Sequence, residues 1–155
     1  MSQLSPDKPR HNSVVLIRAF EQSDKEAVVA LWQQCDLVRP WNDPYLDIQR
    51  KLAIQPELFL VAASESGIMG SVMCGYEGHR GWVNYLAVSP VHQNMGLGRR
   101  LMQSAESALE ALGCPKLNIQ VRETNEEVLA FYEELGYTVD PVVSLGKRLI
   151  QDKKW

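Results

Sequence analysis

One junction constrains this chain more than any other part of it. Tyr85, Leu86, Ala87 and Val88 make an apolar run of strand type, and Ser89-Pro90 turns the chain. The stretch Gln93, Asn94, Met95, Gly96, Leu97, Gly98 and Arg99 then leads into a new periodicity, with Leu97, Leu101, Met102, Ala105, Ala108, Leu109 and Leu112 on one side of a helix. A strand thus feeds a glycine-containing loop that opens a helix, which places the chain in the α/β class. At such a junction several backbone N–H groups converge and the helix dipole adds partial positive charge, a setting suited to a pyrophosphate. Gly96 and Gly98 permit dihedrals and a close approach that other residues resist. The same residues also read as a plain tight turn, because a two-glycine loop alone is a weak signal. The spacing is neither the P-loop, which needs Gly-Lys-Ser/Thr, nor the three-glycine dinucleotide fingerprint.

Length and composition narrow the rest. With 155 residues and 45% hydrophobic content the chain has material for one domain with one core. We expect that domain over 14–155, behind a disordered leader at 1–13 that is polar, carries Pro6, Pro9 and Arg10 and has no apolar signal-peptide segment. A net charge of −3 offers no general footprint for nucleic acid or membrane, and no apolar run reaches membrane-spanning length. Cys35, Cys74 and Cys114 are widely spaced and do not combine with His11, His79 and His92 into a metal pattern. No metal is therefore expected, and the cysteines read as small, mostly buried residues of a reducing cytoplasm.

Pattern and punctuation give an element order. Residues 14–20 read as a strand. Ser23 and Glu26 form a capping box ahead of a helix with Ala27, Val28, Leu31 and Trp32 inward, ending near Cys35. Residues 36–44 are a loop, in which Asp43 caps a second short helix with Pro44 in its first turn and Ile48 and Leu52 buried. Strands at 58–63, 68–76 and 82–88 make an antiparallel meander. The long helix ends at Gly113, and 117–121 follows as a strand parallel to 82–88. Thr124 and Glu127 form a second capping box, for a helix stopped by Gly136, and 137–139 with 144–150 close a last antiparallel hairpin. The expected order is β-α-α-β-β-β-α-β-α-β-β.

The stretch Gln93-x-x-Gly96-x-Gly98 matches Gln/Arg-x-x-Gly-x-Gly/Ala, the coenzyme A pyrophosphate loop of the GNAT superfamily of N-acetyltransferases. Asn125, Phe131-Tyr132 and Leu135-Gly136-Tyr137 resemble the signature of that family's last helix. The element order is also that of the GNAT fold, so the chain resembles the superfamily from Val14 onward. It looks most like the small bacterial YpeA-type acetyltransferases, with 39–44 and 144–149 included in the likeness. The resemblance implies a mixed, mostly antiparallel seven-stranded sheet, splayed between its fourth and fifth strands, with acetyl-CoA in the opening. The pantetheine amides would pair with Leu86, Ala87 and Val88, as an added strand does. Backbone N–H groups of Gln93, Asn94, Met95, Gly96, Leu97, Gly98 and Arg99 would hold the pyrophosphate, and Asn125 would hydrogen-bond the pantetheine arm. An amine would then attack the thioester directly. Tyr132 matches the family's proton donor to the thiolate. A phenol near 10 is a weaker acid than a thiol near 8.5, so we expect Tyr132 to act first as a hydrogen-bond donor to the sulfur. A tyrosine packed on its helix is the other reading of this residue.

The acceptor half is less determined. A lysine amine is neutral in about one molecule in 2,500 at pH 7, whereas an α-amine with a pKa near 8 is about 10% neutral and needs far less help. Arg39, Trp41 and Asn42 are expected at the acceptor wall. Arg39 can hold a carboxylate or bond a local carbonyl, and Trp41 can contact substrate or cover the core. Ribosomal-protein N-terminal acetyltransferases of this fold carry a glutamate where this chain has Gln120, so their base is not copied. Glu77, His79, Asp36 and Asp43 are candidates by chemistry alone. The expected acceptor is a small-molecule amine, an amino acid or a peptide N-terminus, and a homodimer is compatible with the resemblance. A CoA-binding module without turnover is the alternative that the missing glutamate supports.

Overall fold

Alternation in the strands decides the architecture. In β2 (Phe59–Ser64), Phe59 and Val61 join one apolar cluster while Leu60 and Ala62 join another. β3 (Gly67–Tyr76) repeats the division, with Met73 on one side and Val72 and Cys74 on the other. Both faces of the sheet therefore need cover. In the computed structural model, which describes residues 14–152, helices supply it on each side. α1 (Lys25–Gln34) and α2 (Pro44–Ala53) close a core around Phe20, Trp32, Ile48, Phe59 and Val61. α3 (Leu97–Ala111) and α4 (Glu126–Glu134) close the other around Val72, Leu101, Met102, Leu109 and Tyr132. The five buried residues of α3 fall at helical spacing along one stripe.

The sheet runs β1-β2-β3-β4-β5, with β1 at Leu16–Ala19, β4 at Gly81–Val88 and β5 at Leu117–Ile119. The first four strands are antiparallel, and β5 lies parallel to β4 after the α3 crossover. This is the expected mixed α/β architecture. The leader placed at 1–13 lies outside the described residues.

Two local expectations are corrected. α1 begins at Lys25, and the carboxylate that orders the turn before it is Asp24, not a Ser23–Glu26 box. Asp24 accepts from Glu21 N–H at 2.9 Å and from both Arg18 Nη atoms at 2.7 and 3.0 Å. That forked pair holds the Asp24 carboxyl below the usual carboxylate range and outcompetes a serine hydroxyl. At α4 the cap is Asn125 rather than Thr124, since asparagine is the stronger cap, and its Oδ1 accepts from Val128 N–H at 3.3 Å.

The largest difference is at the end of the chain. Residues 137–139 and 144–150 form no strands, so the sheet has five strands among the described residues rather than seven. Pro141 cannot donate to a ladder, and the tail is held by side chains instead. Val143, Leu145 and Leu149 stay outward at 84–91% exposure, while Ser144, Arg148 and Asp152 turn toward the body. Asp152 accepts from Asp43 N–H at 2.9 Å and Arg50 at 2.6 Å, and pairs with Arg148 at 3.0 Å. Arg148 reaches Asn42 Oδ1 at 2.6 Å, and Ser144 takes a hydrogen bond from Gln120. The Arg50 guanidinium, helped by the Asp43 N–H, keeps the Asp152 carboxyl far below the usual carboxylate range. The tail is thus a strap over the loop at 36–43.

Candidate active site

β4 leaves β5 partway along its length. Gly81, Trp82 and Val83 pair with Leu117, Asn118 and Ile119, and the pairing ends there. On its other edge β4 stays with β3 as far as Val88. The divergence sits at a bulge. Ser71 faces Ala87 and Met73 faces Asn84, so β4 carries one extra residue, and Tyr85 takes a left-handed φ of +53°. Three contacts hold it. Ser71 Oγ donates to Tyr85 C=O at 2.8 Å, and Trp32 Nε1 donates to Ser71 Oγ at 2.9 Å. Trp32 also stacks on the Tyr85 ring with centroids 3.7 Å apart.

Beyond the bulge the backbone alternation can be assigned. Ser89 N–H bonds Met69 C=O at 2.8 Å, and Ala87 C=O lies against Gly70. Ala87 and Ser89 thus turn their polar groups to β3, and Leu86 and Val88 turn theirs into the gap. Val88 C=O is occupied by Gln93 Nε2 at 3.2 Å and Cys35 Sγ at 3.3 Å. Val88 N–H and both backbone groups of Leu86 are left facing the opening.

The gap runs into the loop singled out in the sequence. Asn94 (φ +64°) and Gly96 (φ +79°) reverse the chain, and α3 starts at Leu97. Gly96 C=O accepts from Arg100 N–H at 3.1 Å, so the N–H groups of Leu97, Gly98 and Arg99 stand at the open helix end. Met95 and Arg99 are exposed there, whereas Arg100 turns away to Val15 C=O at 2.9 Å. The two glycines answer different demands. A Cβ on Gly96 would meet nothing within 4 Å, so the left-handed backbone is what requires glycine. A Cβ on Gly98 would stand 3.1 Å from the Phe131 ring, which makes Gly98 a packing residue between α3 and α4.

α4 carries Asn125 at its N-terminus and Tyr132 near its end. Asn125 spends Oδ1 on its cap, and its amide NH2 makes no hydrogen bond among the described residues. Tyr132 is 7% exposed, with the rings of Phe131 and Tyr137 edge-on at 5.1 and 5.6 Å. Its hydroxyl has no hydrogen-bond partner among the described residues, and burial pushes the phenol above its ordinary pKa. Tyr132 is therefore both packed and a neutral donor.

On the far side of Tyr85 a cavity of about 910 Å³ opens between α2, the 36–43 loop and the segment after β5. Arg39, Trp41 and Asn42 all line it. Arg39 Nη1 bonds local carbonyls of Asp36 and Val38 at 2.8 and 3.3 Å, and Trp41 is 49% exposed and belongs to neither core. Gln120 lines the cavity too. The base candidates do not. Glu77 caps the β3–β4 turn through His79 and Arg80 N–H, Asp36 points outward, and Asp43 caps α2. The carboxylate that does line the cavity is Asp47, which accepts from Tyr85 Oη at 2.6 Å and Arg50 at 3.2 Å. Sequence reading missed Asp47, because an acidic residue in the first turn of a helix carries no sign of its partner. It missed Ser71 and Tyr85 because neither residue type announces a bulge. Among the described residues no group of three or more His, Cys, Asp or Glu side chains could hold a metal ion, and no helix is long and apolar enough to cross a membrane.

Comparison with known proteins gives the family and the fold. Residues 26–137 match the acetyltransferase (GNAT) family. An acetyltransferase of Yersinia enterocolitica is 53% identical over 139 residues, covering 90% of this chain and 99% of that protein. Ard1 of Thermoplasma volcanium shares the fold with a TM-score of 0.71 at 24% identity, over 81% of this chain and 84% of its own. Naa20 of Chaetomium thermophilum, solved with a bisubstrate analogue, has a TM-score of 0.64 at 27% identity, over 80% and 71%. With a family match over most of its length and a relative at half identity, the chain belongs to the GNAT family and is an N-acetyltransferase.

Proposed function

We propose that the chain, as a single domain over 14–155, transfers an acetyl group from acetyl-CoA to a primary amine by direct attack. The observation that carries this reading is the free edge of β4, where Leu86 and Val88 offer unpaired backbone groups beside a loop of unpaired N–H groups. That edge suits the pantetheine amides, and the N–H groups of Leu97, Gly98 and Arg99, with Arg99 nearby, suit the pyrophosphate. Asn125 would donate its free NH2 to a pantetheine carbonyl.

Bound there, acetyl-CoA supplies an activated thioester carbonyl, at which a C–N bond forms as the C–S bond breaks. Tyr132 would donate a hydrogen bond to the departing sulfur, and its raised pKa keeps the phenol protonated for that role. The amine would enter from the cavity beyond Tyr85, between Trp41 and Gln120, and lose its proton to water in the open cavity. The setting this implies is the cytoplasm, where acetyl-CoA is available.

The test is binding and turnover together. Acetyl-CoA at 100 times its Kd should stabilise the protein by about 2.7 kcal/mol, read as a rise in Tm, while ATP and NAD leave the Tm unchanged. Thiol release across a panel of amines, amino acids and peptides should then show acceptor-dependent turnover. Stabilisation by ATP or NAD as large as that by acetyl-CoA would overturn the reading.

A further inference from the structure

The cavity beyond Tyr85 is unevenly charged. Asp47 is the carboxylate among its lining residues, and it is already matched by Arg50 and the Tyr85 hydroxyl. Arg50 has a second partner in Asp152, and Arg39 is engaged with Asp36. Two lining cations are left over. Neither the Lys51 ammonium nor the Arg122 guanidinium makes a hydrogen bond or an ion pair among the described residues. Glu57 acts on Lys51 only at longer range, and burial pulls the ammonium below the usual lysine range. Gln120, which contributes no charge, stands nearby. A partly desolvated cation without a counter-ion is relieved by an incoming anion and aggravated by an incoming cation.

The placement gives the ligand a direction. Tyr85 and Asp47 adjoin the free edge of β4, where the acetyl group would lie. Lys51 is one helical turn further along α2, close to Gly75, which pairs with Trp82 at the far end of β4. Arg122 lines the other wall, past the end of β5.

We propose that the acceptor is an anionic amine, a primary amine on a molecule that also carries at least one carboxylate, such as an amino acid or an acidic peptide N-terminus. This rests on the preceding reading of the cavity as the acceptor side. The amine lies at Tyr85 and Asp47, facing the thioester, and the carboxylate lies between Lys51 and Arg122. An α-amine near pKa 8 also matches a cavity whose described carboxylate is already doubly bonded, because about 10% of it is neutral at pH 7 without a dedicated base.

The experiment uses the full chain, acetyl-CoA and matched acceptors. L-glutamate is compared with its diamide, the peptide Glu-Ala-Glu with the C-terminally amidated Gln-Ala-Gln, which carries no carboxylate, and spermidine serves as a cationic amine. The acid member of a pair is expected to exceed its amide about tenfold in kcat/KM, the value of one charge-assisted contact. The free amino acid and the peptide arms distinguish the two sources of the same chemistry. Lys51→Gln and Arg122→Gln should each raise KM for the acid about fivefold or more, leave the amide unchanged, and keep the Tm rise with acetyl-CoA. Equal rates for acid and amide, or a preference for spermidine, refute the anionic acceptor while leaving the donor site intact. No Tm rise with acetyl-CoA and no transfer to any acceptor refute the donor reading and the inference with it.

Discussion

Ser71→Ala tests whether the gap in the sheet is built by the hydrogen bonds beneath it. Ser71 is fully buried, accepts from Trp32 Nε1 and donates to the carbonyl of left-handed Tyr85. Removing the hydroxyl strands the buried indole N–H, which costs about 1–3 kcal/mol, and deletes a bond to the bulge carbonyl worth about 0.5–1.5 kcal/mol. A loss of about 3 kcal/mol follows, or roughly 6–12 °C in Tm for a domain of this size. Tyr85 also holds a non-glycine left-handed conformation, which is unfavourable by about 1–2 kcal/mol unless its surroundings enforce it. With that hold weakened, β4 can straighten toward β5, so the acetyl-CoA KM should rise as well. The assay is thermal melting with and without acetyl-CoA, followed by steady-state kinetics. Ser64→Ala, at the end of β2 where Oγ accepts from Ser66 N–H, is the control and should stay within about 0.5 kcal/mol. A Ser71→Ala protein that melts within about 2 °C of the parent with an unchanged KM would refute the argument.

Tyr132→Phe should lower kcat by about 10²–10³ through loss of one donor to developing charge, with the CoA dissociation constant nearly unchanged, as kinetics and calorimetry together would read. Gly98→Ala should destabilise by about 1–3 kcal/mol by crowding the Phe131 ring, and adding Phe131→Leu should recover part of the Tm, because the clash is with that side chain. Asp152→Asn should lower Tm and speed tryptic cleavage near Lys147 and Arg148, because it loosens the strap to Arg50 and Asp43. Its folded pKa is depressed, so the stability it contributes is present above pH 4 or so and is lost as pH falls below that. On the alkaline side, burial raises the phenols of Tyr85 and Tyr132 above their unfolded value near 10. Their contribution is whole below about pH 10 and declines above it by about 1.4 kcal/mol per pH unit for each, a slope that Tyr85→Phe should reduce in melts from pH 8 to 11.5.

The elements that sequence reading located well are those whose signal is local and repeated. The stripe of α3, the cap of α2 at Asp43 and the helix stops at Gly113 and Gly136 depend on neighbours a few residues away, and each occurs where expected. Caps slipped by a residue or two where adjacent candidates competed, as when Arg18 paired with Asp24 and Asn125 took the place of Thr124. The terminal hairpin failed for a related reason. Alternation at 143–150 is real, but it marks an extended segment whose polar side is tied down at Ser144 by Gln120 and at Arg148 by Asn42, both distant in sequence. Periodicity of two specifies an extended chain with two faces and does not specify that a ladder will form.

The same distinction explains why the proposed donor half of the site has a local sequence signal and the proposed acceptor half has none. A pyrophosphate loop is made of backbone N–H groups from one continuous stretch, so its glycines and its helix start can be read in order along the chain. The cavity proposed for the acceptor is assembled from Trp41, Asp47, Tyr85 and Arg122, which no spacing rule connects. Its chemistry follows from which charges remain unmatched after pairing, and pairing is a property of the folded chain. Asp36, Asp43, Glu77 and Asp47 look alike as letters. Three of them are spent at the surface or on local caps and a turn, and the fourth reaches Tyr85 at the bulge. Gln120 fits the same logic. Its loss of a carboxylate, set against the glutamate expected at that position in related enzymes, removes a negative charge from a cavity that already holds two uncompensated cations. The substitution that argued against a copied base mechanism therefore also moves the cavity toward an anionic ligand, and the two effects are coupled. Gln120→Glu should weaken an acidic acceptor while leaving acetyl-CoA binding unchanged. An acidic acceptor turned over faster by that variant would break the coupling.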